Sequence, residues 1–263
     1  TACVSTGTAS ITLTGSASSL PVGNYTVTYS RSLPLASNLT ATMQVTTAGS
    51  GTFSIGGLTT AGNATITVTS LSSSSCTSAI TTGNVSNTIA VVAAPVVSAG
   101  SNIALCVTDN AVNLGTGVSA TNTSGVLWTT NGTGTFLNQT SLTNAVYQPS
   151  AGDIAAGSVQ LTLTGFGIAP CGNATATKTI TFSQPPTASA GGFQTICTNQ
   201  TATVSGATAS NGTILWTENG AGSITAGANT LTPTYTPAAA DAGTTVTLTM
   251  TVSNAPCLAA VAT

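Results

Sequence analysis

Few side chains in these 263 residues could carry out chemistry. The chain contains only two cations and four anions and has no histidine: Arg31, Lys178, Asp109, Asp153, Glu218 and Asp241. Charged residues make up 2% of the chain, compared with about 25% in an average soluble domain. Acid–base and nucleophilic catalysis use clustered His, Lys, Asp and Glu, so the composition argues against an enzyme. Because Lys and Arg supply the contacts to phosphates, it also excludes nucleic acid as a partner.

The dispersed carboxylates leave two chemistries to consider. Glycosidase chemistry needs two carboxyl groups within about 10 Å, and Glu218 and Asp241 belong to the same part of the chain, but nothing in the local sequence supports such a pair. Calcium needs six to eight oxygen ligands, usually from several carboxylates. We therefore predict no catalytic residue, no metal site and no cofactor. Asp153 and Asp241 are instead expected to cap short turns, because Asp side chains accept backbone N–H bonds there.

The cysteines are the remaining reactive groups. There are six of them: Cys3, Cys76, Cys106, Cys171, Cys197 and Cys257. They form no closely spaced pairs and the chain has no histidine, so a zinc site is not favoured. An even number of widely spaced cysteines in a chain rich in Thr, Ser and Asn indicates disulfides and an oxidising, extracellular compartment.

An internal repeat organises the chain. Residues 126–134 (VLWTTNGTG) align with 214–222 (ILWTENGAG), and 147–149 (YQP) align with 235–237 (YTP). The pairs Cys106 and Cys197, Asp153 and Asp241, and Cys171 and Cys257 follow in the same order. A diverged first copy runs from Cys3 to Cys76. We predict that four aromatic residues of the second and third copies pack in the core: Trp128, Trp216, Tyr147 and Tyr235.

Alternation of apolar residues with threonine dominates each copy. Residues 159–164 (VQLTLT) and 246–252 (VTLTMTV) show the period of two that is typical of half-buried antiparallel strands. Clusters of Gly, Asn, Ser and Pro interrupt such runs about every 8 to 12 residues, as in a sandwich. The predicted fold is all-β: a tandem array of three immunoglobulin-like β-sandwich domains that forms an extended rod.

The predicted domains are residues 1–93, 94–184 and 185–263. The first is expected to lack its first strand and the third its last strand, so we interpret the chain as part of a longer array. An alternative is that neighbouring subunits of a polymer donate the missing edge strands. The short links around Pro95 and Pro186 favour a semi-rigid rod. No apolar run reaches the roughly 18 residues that span a bilayer, so membrane insertion is not expected.

Two disulfide pairings remain open. One bond within each repeat would join Cys3 to Cys76, Cys106 to Cys171 and Cys197 to Cys257. In an immunoglobulin-type sandwich, however, the second and sixth strands run in the same direction, which places the two cysteines of a repeat at opposite ends of a strand. A strand of about seven residues spans roughly 23 Å, whereas the Cα atoms of a disulfide lie within about 7 Å of each other. The alternative joins adjacent repeats, Cys3 to Cys171 and Cys106 to Cys257, and leaves Cys76 and Cys197 for other copies.

The third repeat carries motifs of a known kind. Residues 212–217 (GTILWT) and 233–243 (PTYTPAAADAG), with 147–158 (YQPSAGDIAAGS) in the second repeat, resemble the tandem Ig-like or PKD-like repeats of giant Bacteroidota cell-surface proteins. The resemblance covers the second and third repeats well and the first only loosely. It implies export by the type IX secretion system and membership of a gliding-adhesin-like or filamentous surface protein, either anchored to the outer membrane or released.

Two functions fit these observations. The first is a structural stalk or spacer of a large secreted cell-surface adhesin or surface filament, in which the partners are neighbouring repeats of the same chain. Lateral or end-to-end self-association is also expected, because a nearly uncharged surface lacks electrostatic repulsion. The alternative is an adhesive module whose neutral polar loops contact glycans, another surface or neighbouring fibres.

Overall fold

The strands of the first repeat follow the alternation predicted from its sequence. The computed structural model describes residues 1–197 and 199–263. In residues 1–93 the strands are β1 (Ala2–Cys3), β2 (Ala9–Thr14), β3 (Gly23–Ser32), β4 (Leu35–Thr47), β5 (Ser50–Ile55), β6 (Gly62–Ala64), β7 (Ile66–Ser72), β8 (Thr77–Ala79) and β9 (Ile89–Val92). They form a six-stranded sheet in the order β2-β5-β4-β3-β7-β8 and a three-stranded sheet in the order β1-β9-β6.

The second repeat also divides its strands between sheets. Residues 94–184 contain β10 (Val96–Ser98), β11 (Ile103–Cys106), β12 (Val112–Asn113), β13 (Ser119–Thr121), β14 (Thr123–Thr130), β15 (Thr135–Leu137), β16 (Val146–Gln148), helix α1 (Ala151–Ala156), β17 (Ser158–Gly167) and β18 (Ala174–Ser183). The sheet orders are β11-β18-β17-β14, β12-β16-β15 and β10-β13. Strand β11 pairs in parallel with the end of β18, Ile103 opposite Ile180 and Cys106 opposite Ser183.

The third repeat reproduces most of this order. Residues 185–263 contain β19 (Thr187–Ser189), β20 (Ala202–Thr203), β21 (Thr208–Ser210), β22 (Thr213–Glu218), β23 (Ser223–Ala226), β24 (Thr234–Thr236), a 3₁₀ helix (Ala239–Asp241), β25 (Leu248–Ser253) and β26 (Ala260–Ala262). The sheets β20-β24-β23, β22-β25-β26 and β19-β21 correspond to those of the second repeat. The last strand was predicted to be missing, but a three-residue strand, Ala260–Ala262, pairs with β25 at the corresponding place.

The structure confirms the prediction of an all-β, immunoglobulin-like fold. The only α-helix among the described residues, α1, has six residues, and no described helix is long and apolar enough to span a lipid bilayer. The chain divides into two units, which do not follow the predicted boundaries: residues 1–98, 119–127 and 163–176 form one, and residues 99–118, 128–162 and 177–263 form the other. The three-domain division stays a prediction.

Each unit buries the apolar faces of its strands. In the first unit, the core contains Val27, Val45, Phe53 and Ile66, all at most 2% exposed. In the second unit, Trp216 packs with Met250 and Val252, which are fully buried. Buried residues alternate along these strands, as Phe53 and Ile55 do in β5 and Met250 and Val252 do in β25, which is the arrangement that a period of two produces when one sheet face is buried.

Asparagines in the left-handed backbone conformation hold both predicted linkers. Asn122 has φ 56° and its Nδ2 donates to the Ala94 carbonyl at 3.0 Å. Asn211 has φ 55° and donates in the same way to the Pro185 carbonyl at 3.1 Å. Among non-glycine residues, Asn and Asp adopt this backbone most readily, so asparagine combines the required backbone with the bond to the linker.

We expect Asn211→Ala to reduce the free energy of unfolding by about 1–3 kcal/mol, because alanine strains the left-handed backbone and loses the hydrogen bond. Asn211→Gly loses only the bond and should cost about 1 kcal/mol. Urea unfolding of both variants measures the difference. Equal costs for the two substitutions would show that the backbone conformation is not what asparagine provides.

Candidate functional site

Two disulfides join cysteines of successive repeats. Cys3 is bonded to Cys171 with a Cα–Cα distance of 5.0 Å, and Cys106 is bonded to Cys257 with a Cα–Cα distance of 4.9 Å. Of the two pairings left open by the sequence, the structure therefore contains the one between adjacent repeats. The four bonded cysteines are at most 8% exposed, whereas Cys76 and Cys197 are exposed and carry free thiols.

Strand β18 explains why the second repeat does not bond its own two cysteines. Cys106 is the register partner of Ser183, the last residue of β18. Cys171 lies in the turn before Ala174, the first residue of that strand. Ten residues of β-strand span roughly 30 Å, about four times the separation that a disulfide tolerates. The length of one strand therefore excludes a bond between Cys106 and Cys171.

The bonded cysteines come from two recurring positions. Cys3 and Cys106 end the short strands β1 and β11, each of which pairs in parallel with the last strand of its repeat. Cys171 and Cys257 lie in the turns β17–β18 and β25–β26, where their amides donate to the carbonyls three residues earlier, at 2.9 Å in both cases. Each bond therefore connects the short strand that pairs in parallel with the last strand of one repeat to a hairpin turn of the following repeat.

Asp153 lies at the centre of a buried hydrogen-bond network in the second repeat. Its Oδ2 accepts bonds from the Tyr147 hydroxyl at 2.7 Å and from the Ser150 amide at 2.9 Å, and its Oδ1 accepts from the Thr133 amide at 2.9 Å. The Asp153 amide donates to Ser150 Oγ at 3.1 Å, which completes a capping box at the start of α1. The side chain is 3% exposed.

The third repeat has the same network around Asp241. The Tyr235 hydroxyl donates to Oδ2 at 2.7 Å, and the amides of Ala238 and Gly222 donate to the same oxygen at 2.8 and 3.0 Å. The Ala221 amide donates to Oδ1 at 2.7 Å. Tyr147 and Tyr235 are buried, at 0% and 3% exposure. In both repeats the tyrosine and the aspartate tie a Gly-rich turn to the start of a helix.

Glycine permits these contacts. A Cβ atom at Gly132 would lie 2.1 Å from Asp153 Oδ1, and one at Gly220 would lie 2.2 Å from the Tyr235 hydroxyl. The motif Asn-Gly-x-Gly at 131–134 and 219–222 therefore leaves room for the carboxylate and the phenol. This function of the motif was not recognised from the sequence, although its repetition was.

The networks lower the pKa of both carboxyl groups. Burial raises the pKa of Asp153, but hydrogen bonds from the Ser150 and Thr133 amides and from Tyr147 outweigh this effect, so its pKa lies below the ordinary 3.8. The pKa of Asp241 is also lowered, chiefly by the Ala221 amide and the Tyr235 hydroxyl. Burial is the main cause that raises the pKa of Tyr147 and of Tyr235. The aspartates are therefore held ionised.

This geometry favours a structural function for the aspartates over a catalytic or calcium-binding one. The N–H and O–H groups around each carboxylate direct positive hydrogen atoms toward it, and these would oppose a bound cation. Within residues 1–197 and 199–263, no group of three or more His, Cys, Asp or Glu side chains is placed to hold a metal ion. Glu218, the other acid of the third repeat, ends strand β22.

The two tryptophans are buried, at 1% exposure for Trp128 and 3% for Trp216. The Trp216 indole nitrogen donates to the Thr230 carbonyl at 2.9 Å, whereas the Trp128 indole nitrogen is buried without a hydrogen-bond partner. Lys178 lies with its Nζ 5.5 Å from the centroid of the Trp128 ring. The same Nζ donates to the Leu114 carbonyl at 3.3 Å.

Lys178 was not predicted as a core residue, yet it is 2% exposed. Burial lowers its pKa, because the charged form loses hydration. The sequence pattern does indicate this burial, because Lys178 alternates with Ile180 and Phe182 in β18 and therefore lies on the same face of the strand. Ile180 is fully buried. Arg31 is also buried, at 9% exposure, and donates to the Pro34 carbonyl at 2.8 Å and to the Gly56 carbonyl.

Comparisons with known proteins identify no family. No family model matches the chain, and no curated protein matches it. Among solved structures, extracellular domains 3–5 of Drosophila OTK align over 98% of this chain and 91% of their own, with 12% identity and a TM-score of 0.42. Sidekick-1 immunoglobulin domains 1–4 align over 96% of this chain and 70% of theirs, with 13% identity and a TM-score of 0.37. At this level, the likeness carries no argument about function.

We expect removal of the Cys3–Cys171 bond by the double substitution Cys3→Ser and Cys171→Ser to lower the free energy of unfolding by about 3–5 kcal/mol. The bond closes a loop with a sequence separation of 168, and the chain-entropy estimate for such loops is about 5 kcal/mol. Thermal or urea unfolding measures the loss. The control, Cys76→Ser, removes an exposed free thiol and should be neutral; if it is as damaging as the double variant, the stabilisation does not come from the bond.

Asp153→Asn should lower the free energy of unfolding at pH 7 by about 2–3 kcal/mol, because an amide cannot replace a buried carboxylate that accepts three bonds. A carboxylate with a lowered folded-state pKa stabilises the fold above its unfolded pKa, and this contribution is lost as pH falls through the folded value. The difference between wild type and variant should therefore shrink below pH 3.8. Urea unfolding at pH 7 and at about pH 2.5 tests this, and a difference that does not depend on pH would contradict it.

Proposed function

We propose that this chain is a structural stalk or spacer segment of a large secreted cell-surface adhesin or surface filament. The observation that carries the proposal is the pair of disulfides, because each bond connects one repeat covalently to the next. A protein that only needed stable domains could place its cysteines within each domain. Bonds between successive repeats act instead on how far the whole array can be extended.

The two bonds shorten the covalent path through the chain. From Cys3 the path crosses to Cys171, follows the chain back to Cys106 and crosses again to Cys257. Only the 65 residues from Cys106 to Cys171 (171 minus 106) lie on this path, compared with 254 (257 minus 3) along the unbonded chain. At about 3.5 Å per residue, the maximum extension falls from about 890 Å to about 230 Å. Tension would therefore act on the second repeat before it could extend the other two.

The charge distribution supports a structural function. Three of the six charged side chains, Arg31, Asp153 and Lys178, are buried, and Asp241 is enclosed by hydrogen-bond donors. The exposed strand positions carry mainly Thr, Ser and Asn, which gives a nearly neutral surface. Such a surface has little electrostatic repulsion, so neighbouring copies could lie side by side.

We assign the chain to an extracellular location because disulfides form and persist in oxidising compartments. The motifs at 147–158 and 233–243 support the finer proposal of type IX secretion and a gliding-adhesin-like parent protein. Adhesion to glycans or to neighbouring fibres is the alternative function. A bead-adhesion or glycan-array assay on the chain separates them: specific binding would favour adhesion, whereas a stalk segment should show none.

Single-molecule stretching tests the stalk function directly. With handles attached at residues 1 and 263, the oxidised chain should reach a limit of about 230 Å between Cys3 and Cys257, and the reduced chain about 890 Å. The matched control carries Cys76→Ser and Cys197→Ser, which keep both bonds and should leave the short limit unchanged. If the oxidised chain reaches the long limit under the same load, the disulfides do not restrict extension and the proposal fails.

A further inference from the structure

Three asparagines of this chain are followed by glycine: Asn131, Asn211 and Asn219. In such a pair the backbone nitrogen of the glycine can attack the side-chain carbonyl carbon of the asparagine, which closes a cyclic imide and releases ammonia. Glycine favours this reaction because it has no side chain to hinder the approach and allows many backbone angles. All three pairs share this local sequence, so differences between them come from the fold.

Asn131 and Asn219 are fixed by paired hydrogen bonds. Asn131 Oδ1 accepts a bond from the Gln160 amide at 2.9 Å, and the Asn131 amide donates to the Gln160 carbonyl at 3.2 Å. Asn219 forms the same two bonds with Thr247, at 2.7 Å and 3.3 Å. Each asparagine is therefore held to one facing residue through both its side-chain oxygen and its backbone.

The turns that follow these two asparagines are fixed as well. In the second repeat, the Gly132 amide, whose nitrogen would have to attack, donates to Thr130 Oγ1 at 3.0 Å. In the third repeat, the amides of Ala221 and Gly222 donate to the carboxylate of Asp241 at 2.7 Å and 3.0 Å. Closing an imide ring at either place requires such bonds to open, and local opening costs free energy.

The exposed turn between β21 and β22 holds Asn211 much less firmly. Within residues 1–197 and 199–263, its side chain makes one hydrogen bond, from Nδ2 to the Pro185 carbonyl at 3.1 Å. That bond holds the nitrogen that leaves in the reaction and not the oxygen of the side-chain carbonyl group. Gly212 is also exposed. Ring closure at this pair therefore requires the release of one side-chain bond only.

The first linker has the same geometry without the glycine. Asn122 has φ 56° and donates to the Ala94 carbonyl at 3.0 Å, but the next residue is Thr123. The branched side chain of threonine restricts its conformation and crowds its backbone nitrogen. The two linkers are therefore held by equivalent bonds that differ in chemical lifetime.

We propose that Asn211 is a site of spontaneous modification, at which conversion to aspartate or isoaspartate releases the linker at Pro185. The Gly212 nitrogen gives its proton to a solvent base and bonds to Asn211 Cγ, while the Cγ–Nδ2 bond breaks and the nitrogen takes up a proton and leaves as ammonia. Water then hydrolyses the imide: breaking the bond to Cγ gives aspartate, and breaking the bond to the backbone carbonyl carbon gives isoaspartate. The reaction consumes one water and releases one ammonia. This site does not depend on the stalk function.

Both products lose the contact with Pro185. A carboxylate accepts hydrogen bonds but cannot donate one, so it faces the Pro185 carbonyl oxygen without a bond. Isoaspartate also adds one carbon to the backbone of the turn. Each product carries one further negative charge, which changes the formal net charge from −2 to −3. In a chain with so few charges, ion-exchange chromatography separates the modified form from the original.

Peptide mapping after incubation in mildly alkaline buffer tests whether the fold selects this site. Once the chain is reduced and alkylated, trypsin combined with cleavage after Glu218 gives the fragments 32–178, 179–218 and 219–263, which contain one Asn-Gly pair each. In the folded oxidised chain, Asn211 should convert at least about tenfold faster than the asparagines of the other two pairs. In urea, where the protecting bonds are lost, the three rates should agree within about threefold. Equal rates in the folded chain, or no conversion of Asn211, would overturn the proposal.

The first linker provides the matched control. Thr123→Gly gives Asn122 the same following residue as Asn211 in the same backbone conformation, so its conversion should accelerate at least about tenfold over the unaltered chain. Tandem mass spectrometry distinguishes Asn122 from the other asparagines of its fragment, and circular dichroism establishes that the variant is folded. An unchanged rate at Asn122 would show that glycine does not make the linker asparagine reactive and would contradict the proposal.

Amide hydrogen exchange tests the release of the linker. Asn211→Asp represents one product without incubation, and amides of the adjacent strand β19 (Thr187–Ser189) should exchange about fivefold faster in this variant and in the modified form than in the fresh chain. Asn122→Asp, the equivalent change in the first linker, should leave exchange in β19 unchanged. Equal exchange of β19 in Asn211→Asp and in the fresh chain would contradict the release.

Discussion

A disulfide joins only cysteines whose Cα atoms lie within about 7 Å, and this constraint organises the covalent structure of the chain. In the second repeat, β18 separates Cys106 from Cys171 by its full length, so both must find partners elsewhere. They do so in the preceding and following repeats, as Cys3–Cys171 and Cys106–Cys257. The length of β18 therefore prevents a bond between the two cysteines of the second repeat, and each of them is bonded to a neighbouring repeat instead.

Most of the few charged side chains have structural functions. Asp153 and Asp241 do not lie in a catalytic cluster but tie a Gly-rich turn to a helix start through Tyr147 and Tyr235. Lys178 lies over Trp128 in the core. Most of the few charges therefore hold parts of the fold together, and the surface is left mainly to neutral hydroxyl and amide groups.

The sequence could predict those features that depend on local pattern. Alternation at 159–164 predicted a strand, and β17 (Ser158–Gly167) contains these residues. The aspartates were expected to cap turns, as they do. The disulfide pairing depends on the direction of the strands, which the sequence does not show. Bonds within each repeat and bonds between adjacent repeats therefore both remained open. The burial of Lys178 was missed because a lysine is normally exposed, although its position between inward-facing residues of β18 indicates it. The helix at Ala151–Ala156 was expected only as a turn, because its capping box, Ser150 with Asp153, was not recognised.

Tryptic digestion without reduction tests the central claim, the bonding of adjacent repeats. Cleavage after Arg31 and Lys178 gives the fragments 1–31, 32–178 and 179–263. With Cys76 and Cys197 blocked by N-ethylmaleimide and the chain unfolded in urea, Cys3–Cys171 and Cys106–Cys257 should hold all three fragments in one covalent product, which reduction separates. Bonds within each repeat would leave Cys197 joined to Cys257 inside the last fragment. Release of fragment 179–263 before reduction would therefore contradict the account.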